Sequence, residues 1–574
     1  MKKFVITLFL AVGFFWDANA QTSLPEEVRN NIKVRIENGI NTGIVVGIID
    51  ADGSHYYSYG VKSKKSMEPV NEYSVFEIGS ITKTFTGILL ADMVIKGEVN
   101  LDDPLQKYLP AGVTAPTRNG MSINLVHLAN HTSSLPGMPD NFKPANPANP
   151  FADYSEKQLY DFLNTYKLTR DIGSKYEYSN YAAGLLGHVM ATKKELTYEK
   201  LMINVIASPL KLYNTRITLT PKMKANLAMG HNEGVEVENW DFTTLAGAGA
   251  FRSTAVDMLK YLAVNMGIIK SKLYPAMQLS HRNSREEGGN PMVGLGWHKI
   301  VSPGLEIIWH NGGTGGYRAF VGFIKGGEKG VVVLSNSNTS VDDIGMHILN
   351  PKIPLQPIKN SIAIKLQNMI DAQGIEPSVK AYWDIKKDQG DKYDFSENQL
   401  NKLGYDYLRK GEMEKSIAVF SLNAEAYPQS SNAFYNMGEA YMKKSDKEKA
   451  IESYKKSISL NPGNKNAIDK LKELGVNASD IIKEVVVDTE TLEGYVGQYQ
   501  LAPGFILTIS RQDNQLTAQA TGQPEYPIFP KLKNVFYYKV VEAQLTFNQD
   551  EKGKIQSVTL RQAGREFDAK KIKE

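Results

Sequence analysis

In the segment PEEVRNNIKVRIENGI the apolar residues Val28, Ile32 and Ile36 stand four apart behind a proline suited to a first helical turn, which predicts an opening helix. Two β-rich runs follow, GIVVGIID and HYYSYGV, and the Asp52-Gly53 pair between them is a hairpin signal. Helical spacing returns in EIGSITKTFTGILLADMV, residues 77–94, where Ile81, Phe85, Ile88, Leu89 and Met93 form a stripe able to anchor a helix. The later runs LEIIWH, RAFVGFI and GVVVLSN are joined by short turns and read as antiparallel strands. Together these elements predict a mixed α/β domain from about residue 24 to 350.

The pattern changes at NPKIPLQPIKN, where Pro351, Pro354 and Pro357 mark a linker. Helical material follows. Between 398 and 475 two segments repeat with a period of 34, through Gly404/Gly438, Tyr407/Tyr441, Ile417/Ile451, Phe420/Tyr454 and Pro428/Pro462. That spacing and order of residue types resemble tetratricopeptide repeats. Helices at about 358–385 and 464–475 are expected to complete the stack, because a repeat buries its apolar face only against neighbours. From about 488 the runs GFILTIS, QLTAQA, VFYYKVV, AQLTFN and IQSVTL predict a small all-β sandwich or barrel. The expected parts are therefore a mixed α/β domain at 21–350, a linker and helix at 351–397, two repeats with a capping helix at 398–475, and a β-domain at 488–574.

Composition narrows the setting. Lys2 and Lys3 precede a 12-residue apolar run, Phe4–Phe15, and Ala18-Asn19-Ala20 offers the small residues that a signal peptidase cuts. The run is too short to span a bilayer, which takes roughly 20 residues. A signal peptide at 1–20 is expected, and with it a periplasmic or secreted protein without a membrane span. The absence of cysteine excludes disulfides, a thiol nucleophile and a lipidated N-terminal cysteine. A formal charge of +4 is nearly balanced, and no long basic run points to nucleic acid.

Three short motifs carry candidate chemistry, and each also has an ordinary structural explanation. Ser80 and Lys83 lie three apart, which on a helix brings both side chains to one face. A serine hydroxyl needs a base, and a lysine serves when burial and the helix N-terminus lower its proton affinity. A serine at a helix start is equally a common cap, and the same spacing recurs at Ser208/Lys211 and Ser453/Lys456. Tyr178-Ser179-Asn180 is the only Tyr-x-Asn among 29 tyrosines; tyrosine can relay a proton, and an Asn amide can hold a substrate carbonyl or N–H. It reads as well as a polar turn before the next helix. His310-Asn311-Gly312 is the only His-x-Gly among nine histidines, and the glycines that follow it let a backbone approach a ligand closely, or simply make a turn.

In this order the three motifs resemble the serine β-lactamase and penicillin-binding-protein superfamily, in its class C-like serine hydrolase branch. The segments GEVNLDDPLQKYLP, LVHLANHTSSLPG, GAGAFRSTAVDMLKYL and GLGW also look like that branch, and the resemblance covers roughly residues 30–350. It implies an antiparallel sheet flanked by helices, a helical subdomain, and a site between them. It further implies Ser80 as nucleophile, Lys83 as the group that takes its proton, Tyr178 as partner acid/base, Asn180 as a substrate-orienting amide, and His310, Asn311 and Gly312 as a substrate-binding strand. Ser80 and Gly313 would supply the oxyanion N–H groups. The departure is His310, where β-lactamases and D-Ala-D-Ala peptidases of this type usually carry lysine. Hydrolases of the branch often carry a small β-domain, and some carry a repeat segment.

The resemblance implies an exported hydrolase of esters, amides or D-amino-acid peptides, with the repeats open to a protein or peptide partner. The alternative from another class is a peptidoglycan or peptide sensor that uses the repeats. The complete set Ser80, Lys83, Tyr178 and Asn180 argues against it, since a binding domain has no need of both nucleophile and base. No Gly-x-Ser-x-Gly elbow and no His-Glu-x-x-His occur, so an α/β-hydrolase and metal catalysis are disfavoured, and no cofactor is expected.

Overall fold

The computed structural model describes residues 24–573 except 283, 285–291, 328, 478–484, 503–504, 522, 542, 551 and 563–564. The expected signal peptide at 1–20 lies outside the described residues. Two compact units divide the chain, one up to Ile358 and one from Lys359.

In the first unit the opening pattern becomes helix α1 (Glu26–Glu37) and the hairpin β1 (Gly43–Asp50) and β2 (Gly53–Gly60). Glu26 and Glu27 occupy the first turn of α1, where the helix N-terminus favours negative charge. The remaining strands of the sheet are β3 (Met292–Val293), β4 (His298–Ser302), β5 (Leu305–Gly313), β6 (Arg318–Ile324) and β7 (Gly330–Ser335). They lie in the order β2-β1-β7-β6-β5-β4-β3, every pair antiparallel. Side chains alternate between the faces. Ile44, Val46 and Ile48 of β1, with Val331 and Val333 of β7, pack on one face with α1 and α4 (Asp342–Leu349; α2 and α3 are given below). Val45, Val332 and Leu334 join the large helical core on the other. A sheet covered on both sides explains why GIVVGIID and GVVVLSN are nearly continuous apolar runs.

Helix α2 (Thr82–Ile95) passes through that helical core, and α3 (Asn180–Lys193) packs in it as well. The sequence suggests one buried stripe on α2, whereas every residue from Thr82 to Met93 is buried. Its threonines escape the stripe pattern because each hydroxyl is satisfied internally. Thr84 Oγ1 donates to Ile81 O at 2.8 Å, and Thr86 Oγ1 to Gly247 O at 2.8 Å.

In the second unit the repeats form two helix pairs, Glu397–Lys410 with Met413–Ala426 and Ser431–Lys443 with Lys447–Leu460. The 34-residue spacing has a packing cause: a side chain at Gly404 would lie 2.4 Å from the Phe420 ring, and one at Gly438 would lie 2.6 Å from that of Tyr454. The segment expected as one helix at 358–385 is two, Ile362–Gln373 and Ile375–Asp388, because Gly374 between them takes φ +87°. The trailing helix is Lys465–Glu473.

The β-domain is a closed barrel of eight strands, where the sequence reading finds five. Gly497–Ala502, Tyr526–Leu532 and Arg565–Lys573 are the additions. The second holds Pro527 and Pro530, which argue against a strand, and the third is too charged for an alternating pattern to stand out. Gly497–Ala502 pairs with Arg565–Lys573 and so closes the ring. Helix Thr489–Tyr495 adds Tyr495 to the barrel core, stacked on Phe547 at 4.2 Å. Within this unit the barrel holds the end of the second repeat: Lys531 Nζ and Gln544 Nε2 both donate to Leu460 O, at 2.5 and 2.9 Å.

Candidate active site

Ser80 sits in a tight 3₁₀ turn, Gly79–Ile81, that feeds directly into α2. Gly79 takes φ +49°, and a side chain there would lie 2.8 Å from Gly313 N, so the turn is pressed against the end of β5. That end is available because β4 reaches only as far as Trp309, leaving 310–313 paired with β6 on one side alone. On the open side a side chain at Gly312 would come within 2.0 Å of Ile78 O and 3.3 Å of Ser80 N. Glycine is required here by the approach of two backbones.

Lys83, the second residue of α2 and about one turn beyond Ser80, is buried at 1% exposure. Its Nζ lies 3.0 Å from Ser80 Oγ, 2.8 Å from Asn180 Oδ1 and 2.7 Å from Ala248 O. Burial pushes its pKa well below the ordinary lysine value. The other two Ser-x-x-Lys pairs have no such contact among the described residues: Ser208 and Lys211 are both exposed, and Ser453 Oγ donates to Lys449 O at 2.7 Å.

Tyr178 precedes α3, and its ring centroid lies 4.7 Å from Lys83 Nζ. Burial drives the phenol far above its ordinary pKa, and a hydrogen bond with Ser80 opposes that rise only in part. Asn180 is the first residue of α3, capped by Ser179. The turn carrying both is fixed from below by the 131–137 segment: His131 Nδ1 accepts from Ser179 N at 3.1 Å, and Gly137 O accepts from Asn180 N at 2.9 Å. His131 also lays its ring 4.6 Å from that of Tyr178.

His310 lies on the face of β5 that looks toward Ser80, its ring 6.4 Å from Tyr178 and 4.7 Å from His298. Its Nδ1–H donates to Asn311 O at 2.5 Å, which leaves Nε2 as a buried acceptor with no partner among the described residues. His131, His298 and His310 all have lowered pKa values, through burial first and the charge of Lys83 among the further causes. That of His298 falls to about 4.

Asn311 does not join this group. Strand alternation turns it to the opposite face, where Nδ2 donates to Asp342 Oδ2 on α4 at 2.6 Å. Arg318 Nη1 lies 3.4 Å from both Thr314 O and Tyr317 O, with Asp342 close enough to raise its pKa against burial. Arg252 is buried and committed to Glu77 at 3.2 Å, to Trp240 O at 2.7 Å and to the exposed Asp241 at 3.3 Å. His131 and His298 were not singled out by the sequence. His131 lies in LVHLANHTSSLPG without a motif of its own, and nothing local marks His298.

Comparison with known proteins covers the same region. The Beta-lactamase family model matches residues 28–350, a Tetratricopeptide repeat model residues 431–464, and a Domain of unknown function (DUF3471) model residues 483–573. A Beta-lactamase of Escherichia coli (strain K12) is 29% identical over 355 residues, 56% of this chain and 90% of that protein. The D-alanyl-D-alanine-carboxypeptidase/endopeptidase AmpH of the same organism is 30% identical over 302 residues, 49% of this chain and 76% of that protein. In fold, the chain is similar to the crystal structure of a Beta-Lactamase/D-Alanine Carboxypeptidase from Pseudomonas syringae, with a TM-score of 0.50 and 22% identity over 57% of this chain and 98% of that one.

Proposed function

The chain belongs to the beta-lactamase family and is a serine hydrolase, and on that premise we propose that it is exported and acts through an acyl-Ser80 intermediate. The observation that carries the mechanism is the 3.0 Å contact between Ser80 Oγ and a buried Lys83 Nζ that is itself held by Asn180 Oδ1 and Ala248 O. In acylation Ser80 Oγ attacks the substrate carbonyl and its proton passes to the Lys83 amine. The carbonyl oxygen becomes an oxyanion between the N–H groups of Ser80 and Gly313. Tyr178, held protonated by burial, gives its proton to the leaving group and recovers one from Lys83. Water then attacks the acyl carbon, loses a proton to the same pair, and Ser80 Oγ leaves as the hydroxyl. Asn180 orients the substrate amide or ester.

The substrates we propose are esters and D-amino-acid peptides ahead of β-lactams. A β-lactam or C-terminal D-Ala presents a carboxylate, and His310, held neutral by burial, offers it no charge. Arg252 is no substitute: freeing it from Glu77 costs about 3–5 kcal/mol, more than the ~1.5–3 kcal/mol a new charge-assisted hydrogen bond returns. The repeats are proposed to dock a protein or peptide. Purified protein offered a short-chain nitrophenyl ester, a D-Ala-D-Ala peptide and a chromogenic cephalosporin should turn over the first two faster, and His310→Lys should shift the ratio toward the carboxylate-bearing substrates. Rapid cephalosporin hydrolysis unaffected by His310→Ala would reverse this ranking.

A further inference from the structure

The first unit has a cleft of about 790 Å³ at the end of α2 away from Ser80. Five lysines line it, Lys96, Lys211, Lys260, Lys270 and Lys272, against one carboxylate, Asp92. That carboxylate is engaged with Lys96 at 2.6 Å. Among the described residues no carboxylate forms an ion pair with Lys211, Lys270 or Lys272, while Asp257 lies close enough to Lys260 for their charges to interact. The floor between them is apolar, formed by Val205, Leu210, Val264 and Leu273.

Exposed apolar residues accompany the lining in the chain. Ile95 is 50% exposed, Ile268 49%, Ile269 46% and Tyr213 63%, each a lining residue or close in sequence to one. A single exposed isoleucine needs no explanation, but several beside unneutralised lysines make a patch. Like charges gathered without partners repel one another, so the arrangement suits an anion. A soluble phosphate would use the charge and leave the isoleucines in water. An anionic bilayer uses both, taking apolar side chains into the headgroup boundary while the lysines stay with the phosphates.

We infer that this end of the first unit is a docking surface for anionic phospholipid membranes. Ser80 and Lys96 bracket α2, and at ~1.5 Å per residue they stand about 24 Å apart. Docking through the cleft therefore engages the end of α2 away from Ser80. The inference is independent of the acyl-Ser80 mechanism, since no lining residue belongs to that site.

Co-sedimentation with vesicles tests it, using the full chain and two variants, K211E/K270E/K272E and I268S/I269S. All three proteins share the same N-terminal apolar run, so a difference between them reads the cleft alone. The native chain should bind vesicles of phosphatidylglycerol and phosphatidylcholine at low salt more tightly than vesicles of phosphatidylcholine, and inorganic phosphate should not displace it. Each basic residue at such a surface adds about fivefold, so reversing three should weaken partitioning by about a hundredfold or more. The isoleucine variant should also bind less, while both variants keep their thermal transition and ester turnover. Equal binding to neutral vesicles, unchanged binding of the charge-reversed protein, or full displacement by phosphate would overturn the inference, the last in favour of a soluble-anion site.

Discussion

The three partners of Lys83 are not equivalent. Asn180 Oδ1 and Ala248 O can only accept, whereas the Ser80 hydroxyl can donate or accept. A neutral amine gives its two protons to the carbonyls and its lone pair to Ser80; an ammonium gives one proton to each. The same three contacts serve both protonation states, so the proposed proton transfer requires little reorganisation. With the Lys83 pKa lowered by burial, the amine persists to lower pH than an ordinary lysine, and the rate should fall as pH drops through that lowered value. Burial lowers the pKa of each neighbouring histidine, that of His298 to about 4, so they should contribute no limb between about pH 5 and 8. The expected profile of kcat/KM for ester hydrolysis is one acid limb that survives in His298→Gln. Lys83→Arg, always charged, should lose at least ~100-fold. A limb that vanishes with His298 would move the base from lysine to histidine. The contact of Ser80 with Lys83 was legible because three residues make about one helical turn, whereas the approach of Tyr178 from a distant segment was implied only by the resemblance. The turn of the Asn311 side chain toward Asp342 was not legible, because a motif does not say which face of a strand a residue takes.

At the scale of elements, the site is the meeting of a helix-entry turn with a strand end that outruns its neighbour. The sequence shows the glycines at 312 and 313 but not the reason for them, since the overhang of β5 beyond Trp309 depends on where β4 stops. The buried threonines of α2 and the proline-bearing barrel strand were hidden likewise, because satisfaction by a distant partner leaves no local trace. Gly312→Ala places a methyl 2.0 Å from Ile78 O, so the strand must retreat from the nucleophile turn. A displacement of about 1 Å at a reacting centre costs on the order of 100-fold, and that loss is expected in ester turnover and fluorophosphonate labelling, with a cooperative thermal transition retained. Near-native labelling would mean that the close contact is not part of the machinery.

For the whole molecule, the division at Ile358 separates the proposed chemistry from the repeats and barrel. A fragment spanning residues 21–358 should fold cooperatively and hydrolyse nitrophenyl esters at the full-chain rate; a folded but inactive fragment would show that the second unit completes the site. The two units also differ in when they can fold during synthesis. The sheet of the first needs nothing beyond β7. The barrel needs Arg565–Lys573, which pairs with Gly497–Ala502 on one side and Ile555–Gln562 on the other. Until that strand leaves the ribosome the ring stands open, with two raw edges able to template pairing with other chains. A nonsense error between Gln562 and Arg565 therefore leaves a sticky product, one a quality-control protease can recognise, beside a hydrolase unit that has already folded.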